Sequence, residues 1–169
     1  TGTTRTENWI GPRVKRLTVF GLWHLGAVTA ACLAEGNSVI GVDPDEATIA
    51  ALKAGRTPVA EPGLEELIAS RTDNLRFTSD LAAAAAESDI IWITFDTPVD
   101  NDDVADVEFC MEKMRSAVGH ARPGTIIVVS SQLPAGSVGR IKEEAQTRYP
   151  DKLLHFACVP ENLRLGSAI

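Results

Sequence analysis

The sequence predicts an α/β fold: a doubly wound, mainly parallel sheet of about six strands with helices on both faces. Three observations carry that prediction. Short apolar runs alternate with helix-patterned stretches along the chain. The runs at 89–94 and 125–130 are almost continuously apolar, as strands buried on both faces are. The first apolar run ends in a turn, Gly21-Leu22-Trp23-His24-Leu25-Gly26, that opens a helical run.

The elements follow in order. Residues 17–20 read as the first strand, 27–35 as the first helix and 38–42 as the second strand, ending at Asp43. A helix spans about 45–54, with Ile49 and Leu52 at helical spacing and Gly55 as its stop. After a loop, Glu61-Pro62-Gly63 starts a short helix with Leu64, Leu67 and Ile68 on one face, Pro62 suiting an early helical position. Residues 75–78 form a third strand, and Ser79 or Asp80 caps an alanine-rich helix over 81–87. The strand at 89–94 leads into an acidic loop over 96–103 and a longer helix from about 104 to 119. Pro123-Gly124 turns the chain into the strand at 125–130; a loop over 131–136, a helix over 137–148 and a last strand over 153–158 complete the series.

Composition narrows the class. A chain of 169 residues suits one domain with its own core. Hydrophobic residues make up 44% and charged residues 23%, which is ordinary for a soluble globular protein. No apolar run approaches the roughly 20 residues that span a bilayer, and no secretory pattern opens the chain, so no membrane partner is expected. The start, Thr1-Gly2-Thr3-Thr4, lacks methionine, and residues 1–16 read as an extension or added residues ahead of a domain over 17–169. A net charge of −7 argues against a nucleic-acid partner. Cys32, Cys110 and Cys158 show no metal spacing and no disulfide framework, so no metal site is expected. Each cysteine reads as a small buried hydrophobe in a reduced, cytoplasmic protein.

The chemistry concentrates in the glycine turn. A strand, a glycine turn, a helix, a second strand and an acid about twenty residues on is the context of a dinucleotide-binding Rossmann unit. Gly21 permits the tight turn and Gly26 the close packing of helix on strand. Trp23 stands where the middle glycine lets backbone approach a pyrophosphate; its N–H can still face a phosphate from the helix start, with the indole turned aside. Asp43 can accept both ribose hydroxyls of NAD and repel a 2′-phosphate; it can equally cap the helix that begins near Pro44. In a parallel sheet the ligand lies beyond the carboxyl ends of the strands, so the turns after Phe20, Val42, Thr94, Ser130 and Cys158 are expected along one edge.

Six motifs, in order, resemble the N-terminal domain of the UDP-glucose/GDP-mannose dehydrogenase family. They are the first helix from Gly26 to Ala34, Gly41-Val42-Asp43-Pro44-Asp45, Pro58 with Glu61-Pro62-Gly63-Leu64, Thr97-Pro98, Ser130-Ser131-Gln132-Leu133-Pro134-Ala135-Gly136-Ser137, and Pro160-Glu161-Asn162-Leu163-Arg164-Leu165-Gly166-Ser167-Ala168. The resemblance implies NAD as cofactor and a nucleotide sugar whose C6 hydroxymethyl is oxidised to a carboxylate with two NAD per turnover. It implies cofactor contacts from Gly21, Trp23, His24, Leu25, Gly26, Asp43, Thr97 and Pro98. It places Glu161 near the sugar, linked to hydrolysis of a thioester, and Gln132 where the family has a water-ordering threonine. The thioester cysteine and the domains that bind the nucleotide sugar would follow the present chain, whose parent would be a homodimer or larger and which would not turn over alone.

The sequence also departs from the family. Leu165 stands in place of a second glutamate, Thr48 in place of a ribose-binding lysine, and His24 in place of a tyrosine. Two other readings are therefore weighed: a degenerate Rossmann module that binds a nucleotide or nucleotide sugar without redox chemistry, and a hydroxyacid or 6-phosphogluconate type dehydrogenase, which Thr97-Pro98 and the proline–glutamate segment disfavour.

Overall fold

A computed structural model describes residues 14–169. Most of residues 1–16, read as an extension, lie outside the described residues. Six strands form one sheet: β1 (Arg16–Phe20), β2 (Ser38–Val42), β3 (Leu75–Thr78), β4 (Ile90–Ile93), β5 (Ile126–Val129) and β6 (His155–Cys158). Their spatial order is β3-β2-β1-β4-β5-β6, and every pairing is parallel. That is the doubly wound order with its reversal between β1 and β4, where such sheets bind ligands.

Six helices cover the two faces. α1 (His24–Leu33), α2 (Glu46–Lys53) and α3 (Leu64–Ala69) pack with Leu17, Val19, Val39 and Phe77 on one face. α4 (Leu81–Glu87), α5 (Val107–His120) and α6 (Ser137–Arg148) pack with Phe20, Ile40, Ile91, Ile93, Ile127 and Val129 on the other. Strand residues alternate between the two cores because side chains alternate along a strand. The amino ends of the strands are tied by Asp89. Its carboxylate accepts the Arg16 N–H (3.0 Å) and pairs with Arg122, whose Nε donates to the Ser88 carbonyl (2.8 Å). The Arg16 amide, with Arg16 and Arg122 charges behind it, holds Asp89 below the usual carboxylate range.

Several boundaries differ from the sequence expectation. α3 starts at Leu64 with Gly63 as its left-handed cap (φ 84°), so Pro62 lies in the preceding turn and not in the helix. α5 starts at Val107 and not near Val104, because Ala105 forms an antiparallel bridge to Val99 and Asp106 caps the helix. β6 starts at His155; residues 150–152 make a 3-10 turn and Leu153 is left-handed (φ 48°). Of the cysteines expected inside, Cys110 is buried, but Cys32 and Cys158 are exposed. Among the described residues no helix is long and apolar enough to cross a membrane.

Candidate dinucleotide site

All six strands run one way, so the turns after β1, β2, β4, β5 and β6 open on one rim. At its centre is the glycine turn. Gly21 has φ 102°, a conformation L side chains rarely adopt, and a Cβ there would stand 2.9 Å from the Phe95 nitrogen. A Cβ on Gly26 would overlap the Gly21 carbonyl oxygen. That oxygen accepts the Thr94 hydroxyl (2.7 Å), which pins the turn to the end of β4. Both glycines are thus required by packing at this crossing.

Trp23 is the cap residue of α1, and its carbonyl accepts the first helical N–H, from Ala27 (2.9 Å). The amides of His24, Leu25 and Gly26 lie ahead of that bond without partners inside the helix. They form the positive end of a helix of 10 residues. Trp23 is 53% exposed.

Asp43 joins the two arms of the site. One carboxylate oxygen accepts the Leu22 N–H (2.8 Å) and the other the Asp45 N–H (2.9 Å). A carboxylate offers about four acceptor positions, so roughly two remain for ribose hydroxyls. The capping role considered for Asp43 belongs to Asp45, which accepts the N–H groups of Ala47 and Thr48. The Thr48 hydroxyl, first, and the Ala47 amide hold Asp45 below the ordinary aspartate range.

A cleft of about 230 Å³ opens over the rim, lined by Gly21, Trp23, Asp43 and Pro98 together with Phe95 and Phe109. Phe95 meets Phe20 edge-on at 4.7 Å and Phe109 edge-on at 5.8 Å. The Lys113 ammonium sits over both Phe109 (4.9 Å) and Phe95 (5.6 Å). Two aromatic rings, a carboxylate held by backbone amides and a helix start therefore border one cleft. Such a set is chemically suited to an aromatic base, a ribose and a phosphate. Asp96 also borders the cleft, and desolvation raises its carboxyl pKa.

The other candidates lie further along the rim. The Thr97 hydroxyl donates to the Gln132 carbonyl and so joins the loops after β4 and β5. The Gln132 side chain is exposed. Trp92 Nε1 donates to Ser130 Oγ (2.9 Å), which donates to the Val159 carbonyl (2.8 Å) and ties in the chain after β6. Glu161, half-buried, accepts the N–H of Leu163 with its own carboxylate and does not line the cleft. Leu165 is 66% exposed. The His24 side chain is bonded to Glu61 (Nε2 to Oε2, 2.8 Å), so what residue 24 offers a phosphate is its backbone N–H. Cys110 lies beneath, its Sγ 3.6 Å from the Thr97 hydroxyl, and burial pushes its thiol pKa up. Among the described residues no cluster of three or more His, Cys, Asp or Glu could hold a metal ion.

The sequence reading did not include Phe95, Phe109, Thr94 or Glu61 in the site. Phe95 and Thr94 had a usable signal, since each follows a buried strand directly at the ligand rim. Phe109 had none, and Glu61, though part of the Glu61-Pro62-Gly63-Leu64 motif, read only as a helix start, because only tertiary packing brings the two in.

The fold and this cleft define a dinucleotide-binding domain of the Rossmann type. Comparison with known proteins narrows that class: the chain belongs to the UDP-glucose/GDP-mannose dehydrogenase family, and residues 15–169 match its NAD binding domain. It is 34% identical to UDP-glucose 6-dehydrogenase of Rhizobium meliloti over 158 residues, covering 91% of this chain and 36% of that protein. It is 36% identical to GDP-mannose 6-dehydrogenase of Pseudomonas putida over 166 residues, covering 91% of this chain and 37% of that one. Among solved structures it matches a ternary complex of GDP-mannose dehydrogenase from Pseudomonas aeruginosa with TM-score 0.83 and 30% identity, over 90% of this chain and 37% of that one. UDP-glucose dehydrogenase from Pyrobaculum islandicum matches with TM-score 0.80 and 30% identity, over 94% and 39%. The chain thus spans little more than a third of the length of these relatives, 36% in the first. NAD is the cofactor of the domain it represents.

Proposed function

We propose that this chain is the cofactor-holding part of an NAD-dependent nucleotide-sugar 6-dehydrogenase, which oxidises the C6 hydroxymethyl of a nucleotide sugar of the UDP-glucose type to a carboxylate. The observation that carries the reading is the Leu22 N–H bonded to Asp43 at 2.8 Å, which sets a carboxylate at the edge of the glycine turn. Bound NAD supplies the hydride acceptor, one for each of the two oxidations. The amides at the start of α1 would face the pyrophosphate, and Asp43 would hold the adenosine ribose. Phe95, Phe109 and Pro98 would pack on the base. Thr97, tied to the Gln132 carbonyl, would set the rim on the nicotinamide side. Gln132 and Glu161 are the groups we assign to the sugar end, Glu161 as a carboxylate near the reacting carbon and Gln132 as a hydrogen-bonding replacement for a threonine. The cytoplasm, and a parent that is a homodimer or larger, belong to the same reading.

Calorimetric titration with NAD and NADP tests it. NAD should bind the chain, and NADP at least about tenfold more weakly, since Asp43 opposes a 2′-phosphate. Equal affinities, or no heat with either, would overturn the assignment. Leu165, exposed where the resemblance implies a glutamate, favours a second reading in which nucleotide binding persists without oxidation. NADH absorbance on adding nucleotide sugars to the whole gene product separates the two.

A further inference from the structure

We propose that Glu61 is a positioning residue that couples the dinucleotide-binding turn to the segment after β6 that carries Glu161. Glu61 lies in the loop before α3, and its side chain is only 1% exposed. A carboxylate buried that far needs donors for its oxygens. It has three. His24 Nε2 and the Gly166 N–H both reach Oε2 at 2.8 Å, and the Ala168 N–H reaches Oε1 at 2.9 Å.

The three donors come from two distant parts of the chain. His24 is the first residue of α1, and its backbone N–H belongs to the helix start that faces the pyrophosphate. Gly166 and Ala168 sit just beyond Glu161, in a segment that has no helix or strand of its own and turns at Leu165–Gly166. Ala168 packs against the core formed by α1, α2 and α3, and Ile169 lies over Gly63. One buried group therefore holds the phosphate-binding residue on one side and the sugar-side loop on the other. The Ala168 amide, then His24, keep the Glu61 carboxyl below the usual glutamate range, in keeping with an ionised acceptor at the centre of the relay. A ligand that orders the start of α1 fixes His24, and with it the carboxylate on which residues 166–168 hang. By linkage, ordering of that segment must favour the same state of the turn.

The inference rests on the reading that NAD binds at the glycine turn, and the experiment separates the two. Amide hydrogen exchange is followed by NMR with and without NAD, in the wild-type chain and in His24→Phe and His24→Gln. These substitutions leave Glu61 and its two amide bonds in place, and glutamine keeps a donor where histidine has Nε2. Calorimetry reports NAD binding in each. Saturating NAD should slow exchange at Gly166 and Ala168 by about fivefold or more in wild type, the lower end of usual coupling strengths. At NAD concentrations that calorimetry shows to saturate each variant, the slowing should persist in His24→Gln and vanish in His24→Phe. NAD binding to wild type with no change at these amides overturns the coupling alone. So does His24→Phe that keeps the change. Failure of wild type to bind NAD at all overturns the cofactor reading and the coupling with it.

Discussion

Trp23 decides how a dinucleotide meets this turn, because a single Cβ and indole stand where the fold prefers hydrogen. The residue adopts extended backbone (φ −74°, ψ −154°), which carries no strain, and about half of the residue is exposed to solvent. The indole is therefore a movable part of the cleft wall and not a plug in a packed core. Trp23→Gly should change NAD affinity by less than about tenfold, or ~1.4 kcal/mol. Indole emission should change on NAD addition in wild type and lose most of that change in Trp23→Phe. A gain well beyond tenfold in the glycine variant would mean the ring obstructs the pyrophosphate. The cysteines give a second residue-level contrast. Cys110 is buried with its thiol pKa pushed up by desolvation, whereas Cys158 is exposed on the last strand. Cys32 is exposed too, but desolvation and the nearby Glu35 charge raise its thiol pKa. Thiolate is the reactive form. Iodoacetamide should label Cys158 first, Cys32 more slowly, and Cys110 only on unfolding, as read by mass spectrometry; early labelling of Cys110 would contradict its burial.

At the level of elements, α5 links stability to the site. Asp106 accepts the Phe109 N–H at 3.0 Å, and Phe109 in the first turn lines the cleft. Asp106→Ala should cost about 1 kcal/mol in urea unfolding and also weaken NAD, since a frayed first turn releases Phe109. Loss of stability with unchanged NAD affinity would remove Phe109 from the site. The start of this helix also shows what sequence could and could not reveal. Val104 and Ala105 fit a helical pattern, but Asp100 takes the Val104 and Asp102 N–H groups, and the turn so formed delays the helix. At β6, Leu153 and Leu154 fit a strand pattern, but the preceding turn leaves Leu153 with positive φ. The parallel strands were legible because burial on both faces leaves no room for polar residues, as at Ile91 and Ile127. Gly21, Gly26 and Asp43 were legible because each answers a local geometric demand. The aromatic wall and the Glu61 relay were not, since neither the phenylalanines nor the motif around Glu61 names its partners until the fold chooses them.

For the molecule as a whole, carboxylates tie elements together at opposite ends of the sheet, and this sets its response to acid. Asp89 joins the starts of β1 and β4 to Arg122 after α5, and Glu61 joins α1 to the final segment. Amide donors are the first cause that lowers the pKa of both, Arg16 for Asp89 and Ala168 for Glu61. Glu144 is lowered as well, first by its hydrogen bond from Arg115, but that pair is more open to solvent and counts for less. In each case the folded pKa lies below the unfolded one, near 4. The unfolded chain therefore takes up protons first as pH falls. The stabilisation is fully present above about pH 5 and is lost as pH drops through the folded values. Asp96 works the other way, since its raised pKa makes the folded state the better proton acceptor, but one such group is set against several. Urea midpoints should thus be level between about pH 6 and pH 8 and fall steeply below about pH 4. Glu61 should carry a distinct share of that fall because its side chain is the most buried of the set. Glu61→Gln should be less stable than wild type near neutrality, with the gap narrowing in acid as the wild-type carboxylate is itself protonated. A gap that stays constant from neutral pH to pH 3 would show that ionised Glu61 holds nothing together that a neutral amide does not.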